Sequence, residues 1–427
     1  MKSEAGTVSS GGETVAEAMR VRLYGYRWVV LGVFSILNAL VQMNWITFAA
    51  VTGDASTFYR VSELQIGLLS MVFMIVFVVV SIPASYVIDT YGVRVGVGIG
   101  AVLTGVFAMT RGVWGSDYTL VLISQIGLAV GQPFVMNAIT KVGARWFPIT
   151  ERATAAALPS LAQFVGIIVA MAATPFVVSS AGMSGMLVWY GVVSLVGAVA
   201  SLAFIRERPP TPPSEADQDE RFKVFEGLRH ILKQRDMQIL LLLFFVGLGM
   251  FNAISTWIEQ IVSPRGFGPE DAGIIGAVMV VGGILGAGIL PVLSDRSRRR
   301  KPFLVVAVAG MAPGLVGLAF GNTLPLLLMS GFVFGFFLMS AYPLGFQYSA
   351  EISYPAPEST SQGIILMAGQ VSGILFILGM DAFKSTVTGS MAGSMLVFIA
   401  LTAIVIALTA FLDESEMVRR EAERVTV

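Results

Sequence analysis

The sequence predicts an all-α, polytopic membrane protein whose twelve transmembrane helices form two pseudo-symmetric six-helix bundles. Three observations lead there: an apolar composition poor in charge, twelve apolar runs of membrane-spanning length, and an internal repeat at an offset of 206 to 207 residues. Of the 427 residues, 55% are hydrophobic and 13% charged, and the mean hydropathy is +0.79. A soluble domain carries about 25% charged residues. A surface with half that charge does not keep a chain of this size in water. Lys plus Arg and Asp plus Glu are 27 each, so no basic excess points to nucleic acid. With no Cys and one His, thiol chemistry, disulfides and Cys/His metal sites are excluded, and neither a metal nor a cofactor is expected. No Gly-Lys dipeptide occurs, so there is no Walker A loop. No catalytic constellation is found, and an enzyme is not expected.

A bilayer-crossing helix needs about 20 mostly apolar residues. Residues 1–20 are rich in Ser, Gly and Glu and read as a disordered cytoplasmic tail with no signal peptide. Six apolar runs follow, centred near Leu40, Val76, Leu103, Ser124, Gly166 and Ser194, and they make an N-terminal bundle over 21–206. Most are separated by a charge, Pro or Gly cluster. Residues 207–235 form a cytoplasmic linker. Its Pro-Pro-Thr-Pro-Pro stretch is extended in composition. Phe222, Phe225, Leu228, Ile231 and Leu232 then recur at helical spacing among Lys and Arg, as in an amphipathic helix lying on a membrane surface. Runs centred near Met250, Gly282, Ala309, Phe336, Gln370 and Ile399 make the C-terminal bundle over 236–413, and 414–427 is a second cytoplasmic tail.

Orientation follows from the enrichment of Lys and Arg in cytoplasmic loops. With both termini inside, 23 of the 27 basic residues fall in inner segments and only Arg60, Arg111, Arg265 and Lys384 lie outside. The expected location is the cell membrane.

The halves align through particular residues. Asp89 and Arg94 fall on Asp295 and Arg300, Phe147-Pro148 on Tyr354-Pro355, Glu151 on Glu358, Gln163 on Gln370, and Gly166 on Gly373. Parallel repeats of this kind mark one large class of secondary transporters, with the substrate site near midplane between the halves. An Asp at a helix end can bond backbone or an Arg of a neighbouring helix, so Asp89 and Arg94 are candidate gating charges. Asp295 and Arg300 are their degenerate copy, with Arg298 in place of its Gly. Ordinary helix capping is the competing reading.

Polar side chains inside a span face protein or a wet cavity. Asn38, Gln42 and Trp45 are spaced four and three apart and share one helix face. Glu259 follows Ser255 and Thr256 by one turn. Buried, it could take up a proton and serve in coupling; wet, it is a rim charge. No basic residue lies unambiguously in the middle of a span, which leaves nothing to neutralise an anion.

The Asp-x-x-Gly-x-Arg loop after the second span, together with the twelve spans, resembles the major facilitator superfamily. More specific stretches resemble its feline leukaemia virus subgroup C receptor-related branch: Asn44-Trp-Ile-Thr-Phe, Trp146-Phe-Pro-Ile-Thr-Glu-Arg, Phe251-Asn-Ala-Ile-Ser-Thr-Trp, Tyr342-Pro-Leu-Gly-Phe-Gln and Ala368-Gly-Gln-Val-Ser-Gly. That branch contains transporters of choline and ethanolamine and has long been linked to haem export. The resemblance implies that Trp45 forms part of a cation pocket, that Gln163 and Gln370 line it and that Met74 matches a pocket position; Gln42, on the helix face of Trp45, and Phe251 are the further candidates. It also exposes a departure. Choline carriers of the branch place a Tyr after the Phe of the seventh-span motif, and here that position is Asn252, which offers no π face. Phe251 or Trp257 could compensate.

The expectation is therefore a transporter working by alternating access on a small organic cation similar to choline or ethanolamine. A carrier of another metabolite or a haem-like anion is the alternative, and a non-transporting receptor of the same fold is the alternative of another class. The expected partners are the small-molecule substrate and the lipid bilayer, with the protein a monomer.

Overall fold

In a lipid-like setting every backbone polar group needs an internal partner, and helices provide one for each residue of a span. The computed structural model describes residues 24–148, 151–211, 232–297, 299–353, 358–385 and 387–414, and all its regular structure is helical. The predicted amphipathic segment over 222–232 lies almost wholly outside these residues, as does His230.

The first span starts as α1 (Tyr26–Trp45), unwinds, and resumes through a 3-10 turn (Ala49–Val51) as α2 (Thr52–Tyr59). Then come α3 (Glu63–Tyr91), α4 (Val93–Val113), α5 (Tyr118–Met136) extended by α6 (Ile139–Trp146), and α7 (Arg152–Phe204). The second half comprises α8 (Arg235–Thr256) with a short α9 (Ile258–Val262), α10 (Pro269–Ser297), α11 (Lys301–Phe320), α12 (Leu324–Ser353), α13 (Glu358–Ala382) and α14 (Ala392–Thr409). Among the described residues, 11 helices are long and apolar enough to cross a membrane. One of these covers Thr154–Phe204, 51 residues, and it turns back at Gly182, whose φ of 73° only glycine adopts without strain. It supplies two spans, so the total is twelve.

Local chemistry sets the ends. Ser62 and Gln65 form a reciprocal capping box at the start of α3, and the Asp117 side chain accepts from the Leu120 N–H at the start of α5. Gly92, at φ 95°, makes the turn between α3 and α4. Within each half, glycines bring helices into backbone contact, as small residues do in membranes. A Cβ on Gly112 would stand 2.8 Å from the Val188 Cα, and one on Gly191 would stand 2.8 Å from the Ala108 carbonyl oxygen.

Twelve spans return the chain to the side where it began, here termed the terminal face. At the opposite face the halves pack together. Met171 and Pro175 of α7 lie against Gly273 of α10, and Trp257 lies against Gly67 of α3. One hydrophobic core runs through both halves there and includes Trp45, Phe48, Met171, Trp257 and Ile258. Toward the terminal face the first half keeps a separate core built on Val30, Phe34, Val142 and Trp146.

Candidate functional site

A cavity of about 160 Å³ lies between the halves. Spans one, two, four and five line it from one side and spans seven, ten and eleven from the other. Gln42, Trp45, Met74, Gln163, Phe251, Asn252 and Gln370 all border it, so the residues predicted for one pocket do share one. Trp45 and Asn252 occupy repeat-equivalent positions, 207 residues apart, and meet at this cavity.

The amides are oriented from behind. Asn38 donates Nδ2 to the Phe34 carbonyl at 3.0 Å, which turns its Oδ1 toward Gln163. Gln163 donates Nε2 to that oxygen at 3.0 Å. Asn38 itself does not border the cavity; it acts through Gln163. Gln132 donates to the Gln42 Oε1 at 3.2 Å, and the Asn252 Nδ2 donates to the Gly369 carbonyl at 3.4 Å. These bonds engage the amide nitrogens of Gln163, Gln132 and Asn252 and the oxygen of Gln42. The aromatic lining is Trp45, Phe73, Phe164, Phe251 and Tyr342. Trp257, the other candidate to replace the missing Tyr, is fully buried and donates its indole N–H to the Ile377 carbonyl at 3.1 Å, away from the cavity.

Sequence reasoning missed Gln132, Phe73, Phe164 and Tyr342. Gln132 had a signal, being an amide inside an apolar run. Phe73 and Phe164 had none in a chain with 28 Phe, and Tyr342 stood out only as the start of a family-like stretch.

Just beyond Trp45 the first span is interrupted, and Arg111 anchors the interruption. The charge count assigns Arg111 to the outer side, and the structure adds that it is buried there. It lies in the last turn of α4 with 0% exposure. Its guanidinium donates to the Asn44 carbonyl at 3.3 Å, to the Asn44 Oδ1 at 2.6 Å and to the Gln125 Oε1 at 2.7 Å. A cation at the carbonyl end of a helix is electrostatically favourable.

The terminal-face charges pair within halves. Asp89 bonds Lys141 at 2.8 Å rather than an Arg, and its side chain is 71% exposed. The Arg94 backbone N–H donates to Glu207 at 2.8 Å, which ties the start of the linker to this loop. Arg300 pairs with Asp295 and, at 3.1 Å, with Glu351. The polar contacts described between the halves are at the opposite face. The Gly53 N–H donates to the Glu259 Oε2 at 2.8 Å, and Lys384 pairs with Glu63. Glu259 is 5% exposed, so of the two readings open for it the buried one holds. Among the described residues no group of three His, Cys, Asp or Glu side chains could hold a metal ion.

A family model described as Major Facilitator Superfamily matches residues 28–377. The chain is 34% identical over 384 residues to solute carrier family 49 member A3 of Danio rerio, covering 86% of this chain and 81% of the relative. It is 28% identical over 425 residues to the choline/ethanolamine transporter FLVCR1 of Mus musculus, covering 90% and 76%. A bacterial homologue of the human lysosomal transporter Spinster, solved inward-facing and unoccupied, superposes with a TM-score of 0.71 at 15% identity, covering 91% of this chain and 97% of that one. At that identity the likeness shows the fold alone.

Proposed function

The chain belongs to the major facilitator superfamily, and on that premise we propose that it moves a small organic cation, an amine of the choline or ethanolamine class, through the cavity between its halves. It is a multi-pass membrane protein of a transporter family, and the reading adds the substrate. The observation that carries it is the lining. Trp45 supplies a π face of the kind that holds ammonium groups. Around it stand the neutral amides of Gln42, Gln132, Gln163, Asn252 and Gln370, with no Lys or Arg bordering the cavity. Such a lining solvates a cation and leaves an anion unneutralised. The choline and ethanolamine for which the mouse relative is named support the same class.

Alternating access fits the packing. Contacts between the halves gather at the opposite face, while the core of the first half stands alone toward the terminal face. By the Lys and Arg distribution the terminal face is cytoplasmic. This conformation is then the inward-facing one, in which Asp89, Arg94, Asp295 and Arg300 serve as gating charges that wait to close that side, Asp89 and the Asp295–Arg300 pair being bonded within their own halves.

A thermal-shift series on purified protein tests the substrate. Choline, ethanolamine and related amines should raise the melting temperature by mass action, and carboxylates should not. Stabilisation by carboxylates with no response to amines removes the cation reading and leaves the superfamily membership. Uptake into sealed vesicles then separates transport from ligand sensing.

A further inference from the structure

The interruption in the first span is held at both ends by opposite charges, and the two holders belong to different halves. Below it, Arg111 of the same half binds the carbonyl end of α1. Above it, the first amides of α2 point at Glu259 of the other half, with the Gly53 N–H donating at 2.8 Å. A helix start has free N–H groups and partial positive charge, and it favours an anion. Among the described residues no Lys or Arg pairs with Glu259.

We propose that Glu259 is a proton-binding site that makes closure of the opposite face depend on pH, with the protonated carboxyl favouring the closed seam and the carboxylate favouring parted halves. The inference rests on the alternating-access reading but not on the substrate.

The sign comes from what surrounds the group. Glu259 lies on α9, past the end of the seventh span, and the closed seam removes it from water. Asp54 on α2 and Glu63 at the start of α3 add negative potential. Lys384 at the end of α13 is committed to Glu63, beside Asp381. Arg265, after α9, donates to the carbonyls of Ile261, Leu318 and Gly321. Of the first-turn acids Glu270 and Asp271 on α10, Asp271 accepts from the Gly268 N–H. Against this, the amide bonds from Gly53 and Thr52 favour the carboxylate, but burial outweighs them and the carboxyl is pushed up to about 7. When the halves part, water reaches the group and it returns to the ordinary carboxylate range. A group whose value is higher in the closed form takes up a proton on closing. Acid therefore stabilises the closed seam, and the preference is lost as the pH rises through about 7.

The full chain has no Cys, so single-cysteine labelling is clean. Thr52→Cys places a thiol beside Gly53, at a position buried in the seam. Thr388→Cys, on an exposed loop of the same face, is the reference that cancels the titration of the thiol itself. The normalised maleimide rate at residue 52 should fall about tenfold from pH 8 to pH 6, as linkage requires. Glu259→Gln, neutral throughout, should be slow at both values. A flat profile in the otherwise native chain, or a Gln variant that keeps the slope, overturns the proposal. Asp54→Asn changes an exposed side chain and so spares the fold; it should move the midpoint to lower pH. An unmoved midpoint also overturns the assignment to Glu259. No substrate enters these measurements, so a wrong cation leaves their outcome unaffected.

Discussion

Gln163 donates its Nε2 to the Oδ1 of Asn38, 125 residues away in sequence, at 3.0 Å. Because Asn38 is itself pinned to the Phe34 carbonyl, the bond decides which end of Gln163 meets the cavity. Asn38→Ala frees the amide to turn its NH2 inward, where it opposes a cation. Affinity for an amine should fall by about three- to tenfold, the loss of roughly one hydrogen bond, with the fold intact. Isothermal titration of the variant checks this, and unchanged affinity counts against a role for the Gln163 oxygen.

Trp45 and Asn252 test the pocket directly. Trp45→Ala should remove about 1–2 kcal/mol of cation–π attraction, roughly five- to thirtyfold in affinity, and Trp45→Phe should keep part of it. Asn252→Tyr puts a second ring at the repeat-equivalent position across the cavity and should improve binding of choline relative to ethanolamine. Competition binding of the two amines gives the ratio, and intact transport in Trp45→Ala refutes the cation pocket.

Arg111 is the buried charge on which the interruption of the first span depends. Arg111→Met leaves the Asn44 Oδ1 and the Gln125 Oε1 without their donor, while the Asn44 carbonyl keeps a bond from the Gln125 Nε2. Two buried acceptors orphaned cost about 2–5 kcal/mol in all. The variant should melt several degrees lower, and Arg111→Lys, with the charge but without the fork, should fall between. Nanoscale differential scanning fluorimetry checks the order. A fully stable Arg111→Met would mean that the guanidinium does not anchor the turn.

Much of this was legible in the sequence because a membrane chain advertises its polar residues. Gln42, Gln163, Asn252 and Gln370 stand out against apolar runs, and lipid leaves such groups only the interior to face. The interruption of the first span was not legible. Residues 46–51 read Ile-Thr-Phe-Ala-Ala-Val, with neither Pro nor Gly, and tertiary bonds from Arg111 and Gln125 make the break. The burial of Arg111 was hidden for a related reason. A charge one turn from a span end looks the same whether it points to water or into a bundle. The lining rings Phe73 and Phe164 were hidden by the abundance of apolar residues that do nothing but pack.

Topology has its own test. The Lys and Arg distribution predicts that the linker is cytoplasmic, and Ser214 lies within it. A cysteine introduced there should resist an impermeant maleimide applied to intact cells and react after permeabilisation. Reaction from outside would invert the assignment and make the closed face the cytoplasmic one.

Asp89 separates a gating charge from a surface ion pair. Its bond to Lys141 is exposed, and exposed pairs are worth about 0–1 kcal/mol. In the conformation seen here, Asp89→Asn should therefore leave the melting temperature nearly unchanged. A gating role requires a different partner once the terminal face closes, where loss of a charge-assisted bond shifts the balance by about 1–3 kcal/mol against that state. The variant should then spend more time as seen here. A thiol on the terminal-face side of the cavity, Met136→Cys, should react faster in Asp89→Asn than in the otherwise native chain. Equal rates alongside an unchanged melting temperature would reduce Asp89 to a surface charge.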